Sequence, residues 1–240
     1  MSVTVLQRRA DIDAALGRLR ARGLQPRRGD GNWAWSLAHL LRTRHRPFRP
    51  DPIKSWDVEL TIDAVIAAAE ASERIVDIGA YHSAILPALA RLRYRDLVGV
   101  DLNADLLSSP RRDFIQYRRA DFHAMPFLAD GSCAAVTAIS TIEHGWQGSQ
   151  LLAEVSRVLR PGGIFAASTD YWPEKIETAD VRPFGMSWTI FSLEDIRRLL
   201  DDAATFGLVP YGEVRLDAGA PVIHWSDRDY TFIHLVLRRA

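Results

Sequence analysis

Apolar residues first recur at helical spacing at Ile12, Leu16 and Leu19, and again at Trp33, Leu37, Leu40 and Leu41 after a GDGN break, predicting two short helices near the amino end. A proline-rich RPFRPDP stretch separates them from Val58, Ile62, Val65 and Ile66, which mark a further amphipathic helix over 56–71. The pattern then alternates. Strands are predicted over 74–78, 96–100, 114–117, 134–139 and 163–168, with helices over 83–92, 104–107 and 150–159 between them. Ser192 followed by Asp195 reads as the cap of a helix over 193–205 that stops at Gly207. Two late strands, 208–214 and 230–237, flank a polar, Pro- and Gly-containing connection. Alternating strands and helices predict a doubly wound α/β domain, with a mainly parallel sheet covered on both faces and an antiparallel strand pair at its edge.

Composition narrows the class. In 240 residues, 48% of them hydrophobic, there is material for one sizeable core, read as a domain over 56–240 behind an amino-terminal helical extension over 1–55. No apolar run reaches membrane-spanning length, and Arg8 and Arg9 interrupt any signal-like stretch, so the expectation is a cytoplasmic protein without a membrane span. Cys133 is the sole cysteine, which excludes an internal disulfide and a cysteine-based zinc site. The histidines show no H-E-x-x-H spacing, and no metal is predicted. The formal charge of zero hides an asymmetry. Residues 1–50 carry eleven arginines against three aspartates, a balance of +8 that the remainder offsets. Such an end suits an anionic partner or the protein's own acidic body, and the spread of the arginines favours a solvated helix face.

Chemistry concentrates after the first sheet strand. In an open α/β sheet the ligand lies beyond the carboxyl ends of the strands, and Ile75-Val76-Asp77-Ile78-Gly79 delivers its turn, Ala80 to Ser83, to that place. The next strand ends in Asp101, placed to accept both hydroxyls of a ribose. Together they point to a nucleoside-containing ligand.

These residues resemble the class I S-adenosylmethionine-dependent methyltransferases, of the type 11 kind, from about Ile62 to the carboxyl terminus. IVDIGAYHS resembles the family's first motif, with Asp77 and Gly79 in register and Tyr81 and Ser83 standing where two further glycines are usual. GVDLNADLL resembles the ribose motif, carried by Asp101 with Leu102 beside it. RRADFHAMPFLADGSCAAVTAISTIEHG resembles the next two, with Asp121 and Phe122 where the adenine is contacted and Glu143-His144 ending the substrate-facing strand. LLAEVSRVLRPGGIFAAST matches the helix, turn and strand that follow. The resemblance implies a Rossmann-like seven-stranded sheet and S-adenosyl-L-methionine as cofactor, bound by Asp77, Gly79, Ala80, Tyr81, Ser83, Asp101, Leu102, Asp121 and Phe122.

His144 is the candidate base, since it titrates near neutrality at the mouth of the predicted site, with Glu143 to orient it and Asp170 in reserve. Tyr171, Trp172 and Trp188 belong to an aromatic group expected to face the substrate. TDYWPEKI and WTIFSLEDI are similar to methyltransferases of glycan assembly, which implies a hydroxyl on a small-molecule or glycan acceptor. His82, Lys54 and Trp56 are secondary candidates near the loop. A cofactor-blocked binding protein and a nicotinamide-dependent oxidoreductase are the rival readings. Nucleic-acid methylation has only the basic amino end in its favour, because no N-P-P-Y-type motif follows the fourth strand; the oligomeric state is left open.

Overall fold

The structure, a computed structural model, describes residues 2–25, 51–108 and 114–240. The predicted helix over 33–41 lies outside the described residues. Strands β1 (Ser2–Val5), β2 (Arg74–Ile78), β3 (Asp96–Asp101), β4 (Ile115–Arg119), β5 (Cys133–Ile139), β6 (Leu159–Tyr171), β7 (Leu208–Pro210), β8 (Glu213–Val214), β9 (Ile223–Trp225) and β10 (Arg228–Arg239) form one sheet. Its main path runs β4-β3-β2-β5-β6-β10-β1-β8. The β4 to β6 portion is parallel throughout, and β10 returns antiparallel along β6 from Thr231↔Tyr171 to Arg238↔Ile164.

Helices α1 (Arg9–Ala21), α2 (Ser55–Ala68), α3 (Ile85–Arg91), α4 (Ser149–Val158) and α5 (Leu193–Thr205) cover the two faces. Successive strand residues point to opposite sides, so Ile75, Leu97, Ala135, Ile164 and Val236 pack in the layer holding α2 and α3. Their neighbours Val76, Val98, Val136, Phe165 and Leu235 pack in the layer holding α4 and α5. A third cluster, containing Leu6, Ile12, Trp56, Trp188, Ile190, Tyr230 and Phe232, joins the amino-terminal segment to the later part of the chain.

The sheet departs from the expected seven strands at one edge. Beside β10 the position expected for a single strand is shared: Leu208–Pro210 pairs with Leu237 to Arg239, and Ser2–Val5 pairs higher up, Thr4 opposite His234. The predicted strand over 208–214 is therefore split, its second half pairing with β1. The amino-terminal stretch is not wholly helical, since Val3 and Val5 enter the core through β1. The predicted helix over 104–107 is a 3-10 turn, Ala104–Ser108. The capping box at Ser192 and Asp195 is formed, and α5 spans the predicted 193–205.

Part of the basic amino end meets the protein's own acids. Arg18 donates twice to Glu59, both at 2.7 Å, and Arg22 donates to Asp63 at 2.7 Å, tying α1 to α2. No described helix is long and apolar enough to cross a membrane.

Candidate active site

The strand order reverses at β2, which has β3 on one side and β5 on the other, so the carboxyl ends of these strands open a crevice. Gly79 ends β2 with φ +70, and a Cβ there would stand 2.6 Å from Thr141 Cγ2, on the turn after β5. Only glycine allows both the left-handed turn and this close approach. Ala80 then donates to the Val100 carbonyl at 3.1 Å, and Ser83 closes the turn onto Ala80 while its Oγ accepts from the Ile85 amide at 3.2 Å, opening α3.

Three acids stand at successive strand ends. Asp77 is fully buried; its Oδ1 accepts from the Thr137 hydroxyl at 2.7 Å, and its Oδ2 has no hydrogen-bond partner among the described residues. Burial pushes it up to about 7, against the Ser83 and Thr137 hydroxyls, which lower it. Asp101 accepts the Tyr81 amide at 2.9 Å on Oδ2 and the Asn103 amide at 2.8 Å on Oδ1, which binds the glycine turn to the end of β3. Asp121, beyond β4, receives both the amide and the ring Nδ1 of His123 on one oxygen, at 2.9 and 2.7 Å. Although burial raises it, these contacts hold it below the usual carboxylate range. Leu102 is exposed beside Asp101, and Phe122 is buried against the His123 ring.

Tyr81 and Ser83, the substituted glycine positions, have defined places. The half-buried Tyr81 ring packs against the α2 and α3 layer and stacks on His82, centroids 4.0 Å apart. His82 takes the left-handed conformation, φ 64, which turns the chain here without glycine.

The turn after β5 carries Glu143 and His144. Glu143 is buried and accepts from the Thr169 hydroxyl at 3.2 Å on β6; burial first, and then the neighbouring Asp170 charge, push it well above the ordinary range. His144 is half-buried, its Nδ1 atom has no partner, and Phe184 meets its ring edge-on at 5.5 Å. Burial, with Lys54 adding to it, pushes His144 down to about 4. Phe184 is itself 87% exposed.

The three aromatic residues expected to face substrate divide. Tyr171 lies entirely inside the α4 and α5 layer and donates its hydroxyl to the Leu216 carbonyl at 2.7 Å. Trp188 is buried, with Nε1 donating to Asp170 at 2.8 Å. Burial removes both from the open surface, and of the three only Trp172 is half-exposed. Alternation separates Tyr171 from Trp172, which packs with the third cluster. Asp57, Ser140 and Thr141 were not foreseen in the sequence. Asp57 is fully buried at the start of α2 and accepts from Ser168 at 2.8 Å; burial pushes it up to about 6, with Lys54 opposing. Its position reads simply as a first-turn acid, and nothing around Ser140-Thr141 signals a role.

The buried Asp77 makes a testable demand on pH. Its folded value near 7 lies above the ordinary 3.8, so the fold favours the neutral form. That stabilisation is complete below about 4 and lost as pH climbs through about 7. Thermal melts of the wild type and Asp77→Asn are therefore expected to diverge over this range, the wild type losing ground as pH rises. A difference in melting temperature that stays constant from pH 4 to 8 contradicts the assignment.

Residues 76–167 match a family model described as a methyltransferase domain. A probable S-adenosylmethionine-dependent methyltransferase from Mycolicibacterium smegmatis is 34% identical over 77 residues, covering 31% of this chain and 30% of its own. A dimethylglycine N-methyltransferase from Parasynechococcus marenigrum is 27% identical over 145 residues, 56% of this chain and 51% of its own. The chain thus spans about half, or less, of these curated relatives. Among solved structures, a geranyl diphosphate methyltransferase in complex with S-adenosylmethionine aligns with a TM-score of 0.63 over 100% of this chain and 98% of that one; at 18% identity this is a likeness of fold. The family match begins within β2 and ends within β6, so the span that builds the crevice is the part of the chain similar to a methyltransferase domain.

Proposed function

We propose that the chain is an active S-adenosylmethionine-dependent methyltransferase that methylates a hydroxyl of a small-molecule or glycan acceptor. The observation that carries the cofactor assignment is the row of Asp77, Asp101 and Asp121 at the ends of β2, β3 and β4, with the Asp77 Oδ2 buried and outside hydrogen-bond geometry of any donor among the described residues. A buried acceptor left unbonded is costly, and a ligand N–H supplies what it lacks. The turn depends on glycine as well, since a side chain at Gly79 would collide with Thr141 and displace it.

In this reading the turn from Gly79 to Ser83 backs the methionine part of the cofactor, and Tyr81 leaves room by packing inward. Asp101 receives the ribose hydroxyls with the lone pairs that its two amide contacts leave free. Asp121 offers the adenine amino group the oxygen that His123 does not use, and Leu102 and Phe122 flank the ring. S-adenosylmethionine, when bound, supplies a methyl group made electrophilic by its sulfonium. The chain's own task is then alignment and disposal of the acceptor's proton.

His144 suits that second task because it is uncharged throughout the physiological range and its Nδ1 has no partner. A histidine depressed this far is a weaker base than one titrating near neutrality, so it takes the proton only as positive charge develops on the attacking oxygen in the transition state. Glu143, pushed well above the ordinary carboxylate range by burial and then by the Asp170 charge, orients the ring in this reading. Methyl-labelled S-adenosylmethionine, incubated with fractionated small molecules and glycans, is expected to yield an ether-linked product. His144→Ala is expected to slow turnover by about 10²–10⁴-fold. Undiminished turnover in that variant removes His144 as the base, and label recovered only on nitrogen or carbon removes the hydroxyl acceptor.

A further inference from the structure

The chain contains two lysines, Lys54 and Lys175, while every other basic residue counted with them is arginine. Lys175 lies half-exposed in a pair with Asp195. Lys54 is different: its ammonium donates to the Ser140 hydroxyl and lies 3.6 Å from the centroid of the Phe232 ring. Ser140 takes φ 46, and its amide is held by the Ser168 carbonyl at 3.0 Å, so the turn leading to Glu143 and His144 leaves β5 in a conformation that a serine rarely adopts. The cation is fastened to the strained residue that aims this turn.

Titratable groups face Lys54 from each element packed around it. Asp57 comes from the first turn of α2, Glu143 and His144 from the turn after β5, and Asp170 from β6. From β10, Tyr230 lies near the Glu143 and Asp170 charges, while the buried His234 ring is engaged with Thr61 at 2.9 Å. All three carboxylates are buried, and Lys54 lowers each of them against the burial that raises it.

We propose that Lys54 is a positioning residue for methyl transfer, an internal cation that fixes the Ser140–His144 turn through its hydrogen bond to the strained Ser140. The inference rests on the proposed role of His144, but it concerns the turn that carries that ring, and the nearby charge is measurable on the ring without an acceptor. An ammonium suits the place better than a guanidinium, because it is a compact point charge that fits between one hydroxyl and one ring face.

The test is histidine NMR of the ligand-free protein, with the His144 ring assigned by its disappearance in His144→Gln. The wild-type ring is expected to titrate near 4. Lys54→Met, which keeps length and removes charge, is expected to raise that midpoint by about half to one pH unit, while Lys54→Arg restores most of the depression. A midpoint unchanged in Lys54→Met overturns the inference. Should Lys54→Met fail to fold, lysine-selective carbon labelling of the wild type gives only two side-chain resonances. The Lys54 signal is then expected to move as the His144 ring and its neighbouring carboxylates titrate, and a Lys54 signal that stays flat from pH 4 to 8 overturns the inference equally. Failure of S-adenosylhomocysteine to bind counts against the cofactor reading alone and leaves this result standing.

Discussion

Replacing Gly79 by alanine is expected to weaken S-adenosylhomocysteine binding by about 30-fold or more and to lower stability. Two costs combine. A left-handed alanine is disfavoured by about 1–2 kcal/mol, and the added carbon would stand 2.6 Å from Thr141 Cγ2 and 2.9 Å from Thr141 Cβ. Thr141 has little freedom to yield, since its hydroxyl donates to the Ile139 carbonyl at 3.1 Å and its side chain is buried. Overpacking of this kind costs about 1–3 kcal/mol, and the sum, about 2–5 kcal/mol, is relieved chiefly by displacing the turn that carries the site. The two costs separate experimentally. Gly79→Ala combined with Thr141→Gly removes the contact and leaves the backbone cost, so partial recovery of binding is expected. Full recovery assigns the effect to packing alone, and an unimpaired single variant shows that the turn is not the cradle.

Asp101→Ala is expected to reduce S-adenosylhomocysteine affinity by about 100-fold or more while leaving the fold intact. The carboxylate accepts two backbone amides, from Tyr81 and Asn103, and in the proposed complex accepts ribose hydroxyls as well. Hydrogen bonds to a charged group contribute about 1.5–3 kcal/mol each, and the alanine forfeits those to the ligand and also releases the Tyr81 turn. Asp101 lies half-exposed at a strand end, outside the apolar clusters, so the melting temperature is expected to change by only a few degrees. Asp101→Asn, which keeps the shape and one acceptor oxygen, is expected to fall between the two. Calorimetry separates these cases, and an alanine variant that binds like the wild type removes Asp101 from the ribose contact.

What was legible in the sequence was local. Strands β2, β3 and β5 lie within one residue of the ranges read from the sequence, because buried parallel strands read as short apolar runs bounded by turns. The Ser192 and Asp195 pair named the start of α5 because a cap is written within four residues. Asp77 and Asp101 were found because they stand at the carboxyl ends of β2 and β3, whereas Asp121 came from the resemblance of the segment after β4 to a family motif. What escaped was written across distance. β1 is four residues long and owes its existence to partners near residue 234, which no window along the chain brings together. The Lys54 cluster joins α2, the turn after β5, and β6, so its members look unrelated in order. Tyr171 and Trp172 show how finely a strand decides: adjacent residues face opposite layers, and an aromatic expected to meet substrate is enclosed instead. His123 was read only as lacking metal spacing, yet it engages Asp121 from two residues away.

The late strands follow the same rule. A run over 208–214 reads as one strand, but Tyr211 donates its amide to the Val236 carbonyl and Arg215 donates to Val3, so the chain leaves β10 for β1 midway. The exchange brings residues 2–5 into the edge of the sheet and seats Leu6 and Ile12 in the same cluster as Trp56 and Trp188. The amino-terminal segment thereby packs beside Phe232, the ring on which the Lys54 ammonium rests.

Titration of the ligand-free protein with S-adenosylhomocysteine by isothermal calorimetry, at pH 7.5 by choice, tests the cofactor assignment most directly. The account predicts one site per chain with a dissociation constant of about 1–100 μM, weakened by Asp101→Ala and Gly79→Ala as described above. A folded wild-type protein that releases no heat with millimolar ligand, or one whose binding is indifferent to both substitutions, contradicts it.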